Sequence, residues 1–146
     1  MPYLDFWHYR YLEMCELVAS WSKDPSSKFG SVIVDDSNRV VSLGFNGFPS
    51  GFKDSQERWN DREFKYAHVI HSEVNALLHA KQDVRGCTLY CNGLPCSSCM
   101  GEIAQAGIKR VICYEPSYDY KQRWCVDAPI QIAKECGIEI IQLEYK

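Results

Sequence analysis

Two short stretches carry the residue types best suited to chemistry: a histidine and a glutamate two apart in HSEVNALL, residues 71–78, and two cysteines three apart in PCSSC, residues 95–99. Each has an ordinary explanation by itself. His and Glu near a helix start can be a cap and a solvated charge, and a lone C-x-x-C can be a redox pair or half of a structural metal site. Together they imply more. On a helix the sulfurs of Cys96 and Cys99 point to nearly the same side, so both can bind one ion. His71 and Glu73 diverge beside their own helix but converge on a point beyond its N-terminal end. The pattern therefore implies two helix starts meeting over a zinc ion. The partial positive charge of helix N-termini favours thiolates, and Pro95 fits at a first helical turn, where its missing N–H costs nothing.

His71, Cys96 and Cys99 make three zinc ligands and leave a fourth tetrahedral position open, the mark of a catalytic rather than a structural site. Two thiolates cancel the ion's formal charge, so water there is less acidified than on a three-histidine zinc, and a nearby base becomes more necessary. Glu73 is the candidate catalytic residue. H-x-E followed by P-C-x-x-C is the signature of zinc-dependent nucleobase deaminases. The alternative is a structural zinc with a fourth ligand, or a redox pair.

These residues need elements to position them. Leu4, Trp7, Tyr11, Met14 and Val18 recur at helical spacing and predict a first helix over about residues 4–22. SVIVDD and RVVSLGFN, separated by SN, predict a β-hairpin. The charged, Gly- and Pro-containing segment that follows is too long for a mere connection and implies function or a short helix. Beyond it the chain alternates: a helix over about 71–82, strand CTLYCN, a helix over about 96–106, strand RVICYE, a helix ending near Cys136, and strand IEIIQL. Alternating βα units imply parallel strands, with antiparallel pairing confined to the hairpin and the last strand's direction left open. The expected fold is α/β: a three-layer α/β/α sandwich around a five-stranded mixed sheet.

With 146 residues the chain suits one domain over residues 1–146. Its 46% apolar content excludes disorder, and no apolar run approaches a membrane span. The first residues lack a basic region followed by an apolar one, so a cytoplasmic location is expected. Eight cysteines there call for metal or thiol chemistry before disulfides. Core packing is expected for Cys15, Cys87, Cys91, Cys113 and Cys136, while Cys125 has no assignment. A net charge of -3 gives no general attraction to polynucleotide, so a small substrate is favoured.

The sequence also resembles the deoxycytidylate deaminase family, through SKDPSSKFG, GFNGFP, HSEVNALL, PCSSC and AGIKRVI. Asn75, SKDP and the G-[YF]-N-G-x-P loop at 44–49 point to the dCMP branch. The resemblance implies that zinc sits on His71, Cys96 and Cys99, and that activated water attacks C4 of cytosine while Glu73 protonates N3 and helps ammonia leave, giving dUMP for thymidylate synthesis. Asn46 matches the family position that hydrogen-bonds the sugar, although Asn-Gly is also a strong turn pair. Tyr118 and Tyr120 fall where relatives place an aromatic beside the substrate, with ordinary packing an equal alternative. The resemblance further implies a homohexamer activated by dCTP with Mg2+ and inhibited by dTTP, through a nucleotide site drawing on Lys28, Gly44, Asn46, Gly47 and Lys53. Here Phe45 replaces the commoner tyrosine, and SKFG a commoner ending. Cys15, His68 and His79 are the residues one would invoke for a second zinc, but one zinc per chain is expected.

A phosphate anchor is needed, and Lys28, Lys53, Arg58, Arg110, Lys121 and Arg123 are candidates, though isolated basic residues are mostly solvated surface charges. Rival functions are a deaminase of free nucleosides or bases, a deaminase of tRNA or DNA, which should show a basic groove, and a non-catalytic zinc-stabilised binding module.

Overall fold

The computed structural model describes the backbone of residues 2–146 and side-chain surroundings from residue 6 onward, so the predicted packing of Leu4 lies outside the described residues. A first helix, α1 (Pro2–Ala19), is followed by β1 (Gly30–Val34) and β2 (Val40–Phe45). Two short helices, α2 (Gln56–Asn60) and α3 (Arg62–His68), occupy the long middle segment. Then come α4 (Ser72–His79), β3 (Thr88–Cys91), α5 (Ser97–Ala106), β4 (Arg110–Tyr114), α6 (Tyr118–Arg123), α7 (Asp127–Glu135) and β5 (Glu139–Leu143). No helix among the described residues is long and apolar enough to cross a membrane.

The five strands form one mixed sheet in the order β2-β1-β3-β4-β5. The β1–β2 hairpin is antiparallel as predicted, turning through Asp35–Arg39. Asp35 Oδ1 accepts from the N–H groups of Ser37 and Arg39, and Asn38 takes the left-handed backbone that asparagine tolerates. β3–β4 and β4–β5 are parallel, which settles the last strand's direction. One expectation is corrected. Antiparallel pairing is not confined to the hairpin, because β1 also pairs antiparallel with β3. The unit β2–α4–β3 does run its two strands in the same direction, but β1 lies between them, and being antiparallel to one it is antiparallel to both.

Side chains alternate across the strands, and each face has its own core. Val32, Val34, Tyr90, Ile112 and Tyr114 meet Tyr11, Leu12 and Cys15 of α1. Ile33, Leu89, Cys91, Val111 and Cys113 meet Ala76 of α4, Met100 and Ile103 of α5, and Ala133 of α7. The three layers are thus α1, the sheet, and the α4–α5–α7 face. Cys15, Cys87, Cys91 and Cys113 are buried as expected, but Cys136 is exposed. It lies at the C-cap of α7, next to left-handed Gly137, where the chain turns through solvent towards β5.

Two glycines are required by close approach. A Cβ on Gly44 would lie 2.5 Å from Ala76 N and 2.7 Å from Ser72 O, so β2 and the backbone of α4 touch there. A Cβ on Gly30 would lie 2.1 Å from Cys15 O of α1. Asn75 Nδ2 donates to Phe45 O at 2.8 Å, locking α4 to the end of β2.

Candidate metal and active site

His71 and Cys96 are the N-cap residues of α4 and α5, both with extended backbone and neither using its side chain as a cap. Freed from capping, the two side chains reach into the space between the helix starts. Cys99, in the first turn of α5, faces the same space. His71 Nδ1 lies 3.2 Å from Cys99 Sγ and 3.6 Å from Cys96 Sγ, and all three donor atoms fall within 4.8 Å of one another. Zinc bonds of about 2.0–2.1 Å to nitrogen and 2.3 Å to sulfur place tetrahedral donors roughly 3.5–3.8 Å apart. The imidazole and two sulfurs therefore fit zinc with small adjustment.

Among the protein groups alone, the hydrogen bond from the Cys99 thiol brings Cys96 down to about 4 against opposing burial, with His71 helping. The same hydrogen bond, then burial, pushes Cys99 up. One sulfur is a thiolate and the other keeps its proton. Hydrogen bonding to Cys96 raises His71 as well, although burial opposes it.

Glu73, in the first turn of α4, is 6% exposed. Burial pushes its carboxyl above the usual range. Ser72 Oγ donates to Glu73 Oε1 at 2.8 Å. With that proton spent, the Ser31 hydroxyl 2.8 Å away must be the donor to Ser72. A fully buried two-hydroxyl chain from β1 thus fixes one carboxylate oxygen.

His71, Glu73 and Cys96 open into one cleft. Asn46 and Tyr120 also line it. The Asn46 side chain is largely engaged: Nδ2 donates to Ser27 O at 2.9 Å and, at 3.4 Å, to Asp24 Oδ2, while Oδ1 accepts from Phe29 N at 3.0 Å. It braces the loop between α1 and β1. Tyr120 O–H donates to the Leu94 carbonyl. Tyr118 is 76% exposed and does not line the cleft.

The residues named for a nucleotide effector each have local contacts of their own. Gly44 is pressed against α4, Gly47 bridges to Ile70, and Lys28 Nζ donates to Ser22 O. Lys53 offers its carbonyl to Arg58 at 3.1 Å. The segment carrying Gly47 and Lys53 is held by stacked rings, with Phe48 on Trp59 at 4.1 Å and Arg58 over Phe52 and Phe64. Cys15, His68 and His79 lie on three separate helices.

Sequence reasoning missed an ion pair in the cleft wall. Lys65 and Asp24 both line the cleft, with Nζ to Oδ1 at 3.1 Å and each side chain 4% exposed. Lys65 also donates to Ser26 Oγ at 2.7 Å. Burial pushes Asp24 up, but donors from the Ser26 and Ser27 N–H groups and from Lys65 outweigh it and hold the carboxyl below its ordinary value. The partners are 41 residues apart, and no local pattern signals them.

A buried acid beside a three-donor zinc cradle, both carried on helix starts over one face of a mixed sheet, defines a zinc hydrolase of the deaminase type. Residues 5–115 match the cytidine and deoxycytidylate deaminase zinc-binding region, and the chain belongs to that family. It is 43% identical over 141 residues to a deaminase encoded in the luxG 3′ region of Aliivibrio fischeri, covering 94% of this chain and 93% of that one. It is 38% identical to the human deoxycytidylate deaminase over 118 residues, covering 77% of this chain and 66% of the human enzyme, so it spans about two thirds of that relative's length. The structure is also similar to the dCMP deaminase of cyanophage S-TIM5 in complex with dCMP and dUMP, at a TM-score of 0.75 and 25% identity, covering 98% of both chains.

Proposed function

We propose that this chain deaminates dCMP to dUMP and ammonia, supplying dUMP for thymidylate synthesis. The observation that carries the reading is one cleft lined by the buried Glu73 and by His71 and Cys96, two members of the His71–Cys96–Cys99 donor group. The names of the relatives and the nucleotides bound in the cyanophage enzyme narrow the substrate from a cytosine to its deoxynucleotide. His71, Cys96 and Cys99 would hold zinc, which would supply Lewis acidity for activating water.

Glu73 does the proton work. It takes one proton from the attacking water and delivers it to N3, then takes the second and delivers it to the departing amino group, which leaves as ammonia. Burial raises the proton affinity of the carboxyl, which suits a group that must hold a proton between two deliveries. Ser72 occupies Oε1 and leaves Oε2 for the transfers. Asn46 contacts the sugar through the remaining lone pair of Oδ1, and Tyr120 borders the base. On the strength of the family resemblance the proposal includes one domain over residues 1–146, a homohexamer in the cytoplasm, and activation by dCTP with Mg2+ and inhibition by dTTP at a site drawing on Lys28, Gly44, Asn46, Gly47 and Lys53.

Ammonia release from dCMP, deoxycytidine, dCTP and a cytosine-containing oligonucleotide, with and without dCTP and dTTP, tests the substrate. dCMP is expected to be preferred; preference for the oligonucleotide or the free nucleoside would overturn the reading. Glu73→Gln is expected to keep its zinc and lose at least about a hundredfold in turnover. Unchanged turnover in that variant would remove the mechanism, whereas retained zinc with lost activity removes the binding-module alternative.

A further inference from the structure

We infer that Ser31 and Ser72 are positioning residues for the reaction: their hydroxyls form a one-way hydrogen-bond chain from β1 that holds the Glu73 carboxylate and keeps the proton it carries on Oε2. The inference rests on the deaminase reading above, in which Glu73 moves two protons. Ser31 Oγ lies 2.8 Å from Ser72 Oγ, which donates to Glu73 Oε1 at 2.8 Å, and both serines are fully buried. Each hydroxyl has one proton to give. The Ser72 proton is spent on the carboxylate, so its oxygen accepts from Ser31 and the chain points towards Glu73. Reversing it would turn the Ser31 proton towards the Cys91 sulfur, a weak acceptor. Oε1 is therefore held as an acceptor, and a proton carried by the carboxyl sits on Oε2.

The origin of the chain in the sheet gives it its rigidity. β1 is an inner strand, and Ser31 is paired with Gly44 of β2 on one side and with Cys91 of β3 on the other. The first hydroxyl thus comes from backbone held on both flanks, not from the helix it supports. Gly44 in turn lies against the Ser72 carbonyl, where a Cβ would approach to 2.7 Å, so α4 sits close enough for the two serines to meet. The N–H of Glu73 also donates to its carboxylate. Loss of the chain therefore loosens the group without releasing it. A loosened carboxylate slows the proton transfers and leaves substrate binding alone.

Ser42 provides the control. Its hydroxyl donates to Ala76 O at 2.7 Å, so it too is a buried serine tying a strand to α4, but its hydrogen bond goes to the helix backbone three residues beyond Glu73. The test measures kcat and KM on dCMP and on deoxycytidine, zinc content and urea denaturation for the wild type, Ser31→Ala, Ser72→Ala, the double variant and Ser42→Ala. Ser72→Ala is expected to lower kcat about tenfold or more, with KM and zinc content little changed. Ser31→Ala lowers kcat less, and the double variant is no slower than Ser72→Ala, because Ser31 acts only through Ser72. Ser42→Ala keeps the wild-type kcat even where its urea midpoint falls. An unchanged kcat in Ser72→Ala, losses that multiply in the double variant, or an equal loss in Ser42→Ala would each overturn the inference. Loss of zinc from Ser72→Ala would overturn it too, since the chain would then support the metal ligands instead. If the wild type deaminates deoxycytidine and not dCMP, the dCMP reading falls, and the same comparison on deoxycytidine still decides the role of the chain. If it deaminates neither, both fall.

Discussion

Cys96 and Cys99 share a proton through one hydrogen bond, and His71 has its proton affinity raised by the same thiolate. Zinc needs both sulfurs as thiolates and the imidazole neutral, so protons compete with the metal. Zinc affinity is expected to fall as pH drops through the elevated His71 value, which a competition titration against a chromophoric chelator at several pH values reads directly; an affinity flat between about pH 8 and 6 would contradict this. Cys99→Ala is expected to lose both metal and activity. At this scale the sequence was informative for a physical reason: the chemistry demands His, Glu and two Cys at helix starts, and helix geometry writes that demand into spacings of two and three. Asp24, Ser27 and Lys65 carry no such spacing. Their meaning comes from a loop and a helix that meet only in the folded chain.

α4 carries His71 and Glu73, and its position is set by contact with β2 at Gly44. Gly44→Ala pushes a methyl group into Ala76 N and Ser72 O, and backbone cannot give way as a side-chain tip can. The expected cost is about 1–3 kcal/mol or more, with a further loss of zinc because His71 moves with the helix; urea denaturation and elemental analysis measure the two effects separately. Gly101, within α5, has open space around its Cβ position. Gly101→Ala is expected to stabilise by about 0.5–1 kcal/mol without changing turnover. The longer helices and all five strands were legible because period and β-branched runs are local properties. The neighbour of β1 was not legible, since strand order is decided by which edges remain after α4 crosses the sheet. α6 escaped notice, and α2 and α3 were foreseen only as one alternative, a short helix without bounds, although Ser55, Asp61 and Ser117 each cap one through a side-chain acceptor. In helices of five to seven residues the cap is a larger share of the signal than periodicity.

Across the whole molecule, the Asp24–Lys65 pair ties the α1–β1 loop to α3 and closes one wall of the cleft. Removing one partner strands the other charge in the interior. Lys65→Ala is expected to cost about 3–5 kcal/mol by urea denaturation, with KM affected through the displaced wall. The carboxyl of Asp24 is held lower in the folded chain than in the unfolded one. Its contribution is therefore fully present above about pH 4 and is lost as pH falls through the folded value. Without Lys65 that loss should begin at higher pH, and denaturation curves between about pH 3 and 6 for the two proteins would reveal it; superimposable acid limbs would rule it out.

The inner place of β1, between β2 and β3, sets a schedule for the growing polypeptide. As synthesis proceeds from the N-terminus, the hairpin can close once residue 45 has emerged, but the other side of β1 waits for residue 91, its partner in β3. The imidazole of His71 waits longer still, because the second sulfur follows 28 residues behind it. During translation the half-built sheet must exist without its metal, and the ion can lock in place only after both flanks of that first inner strand are occupied.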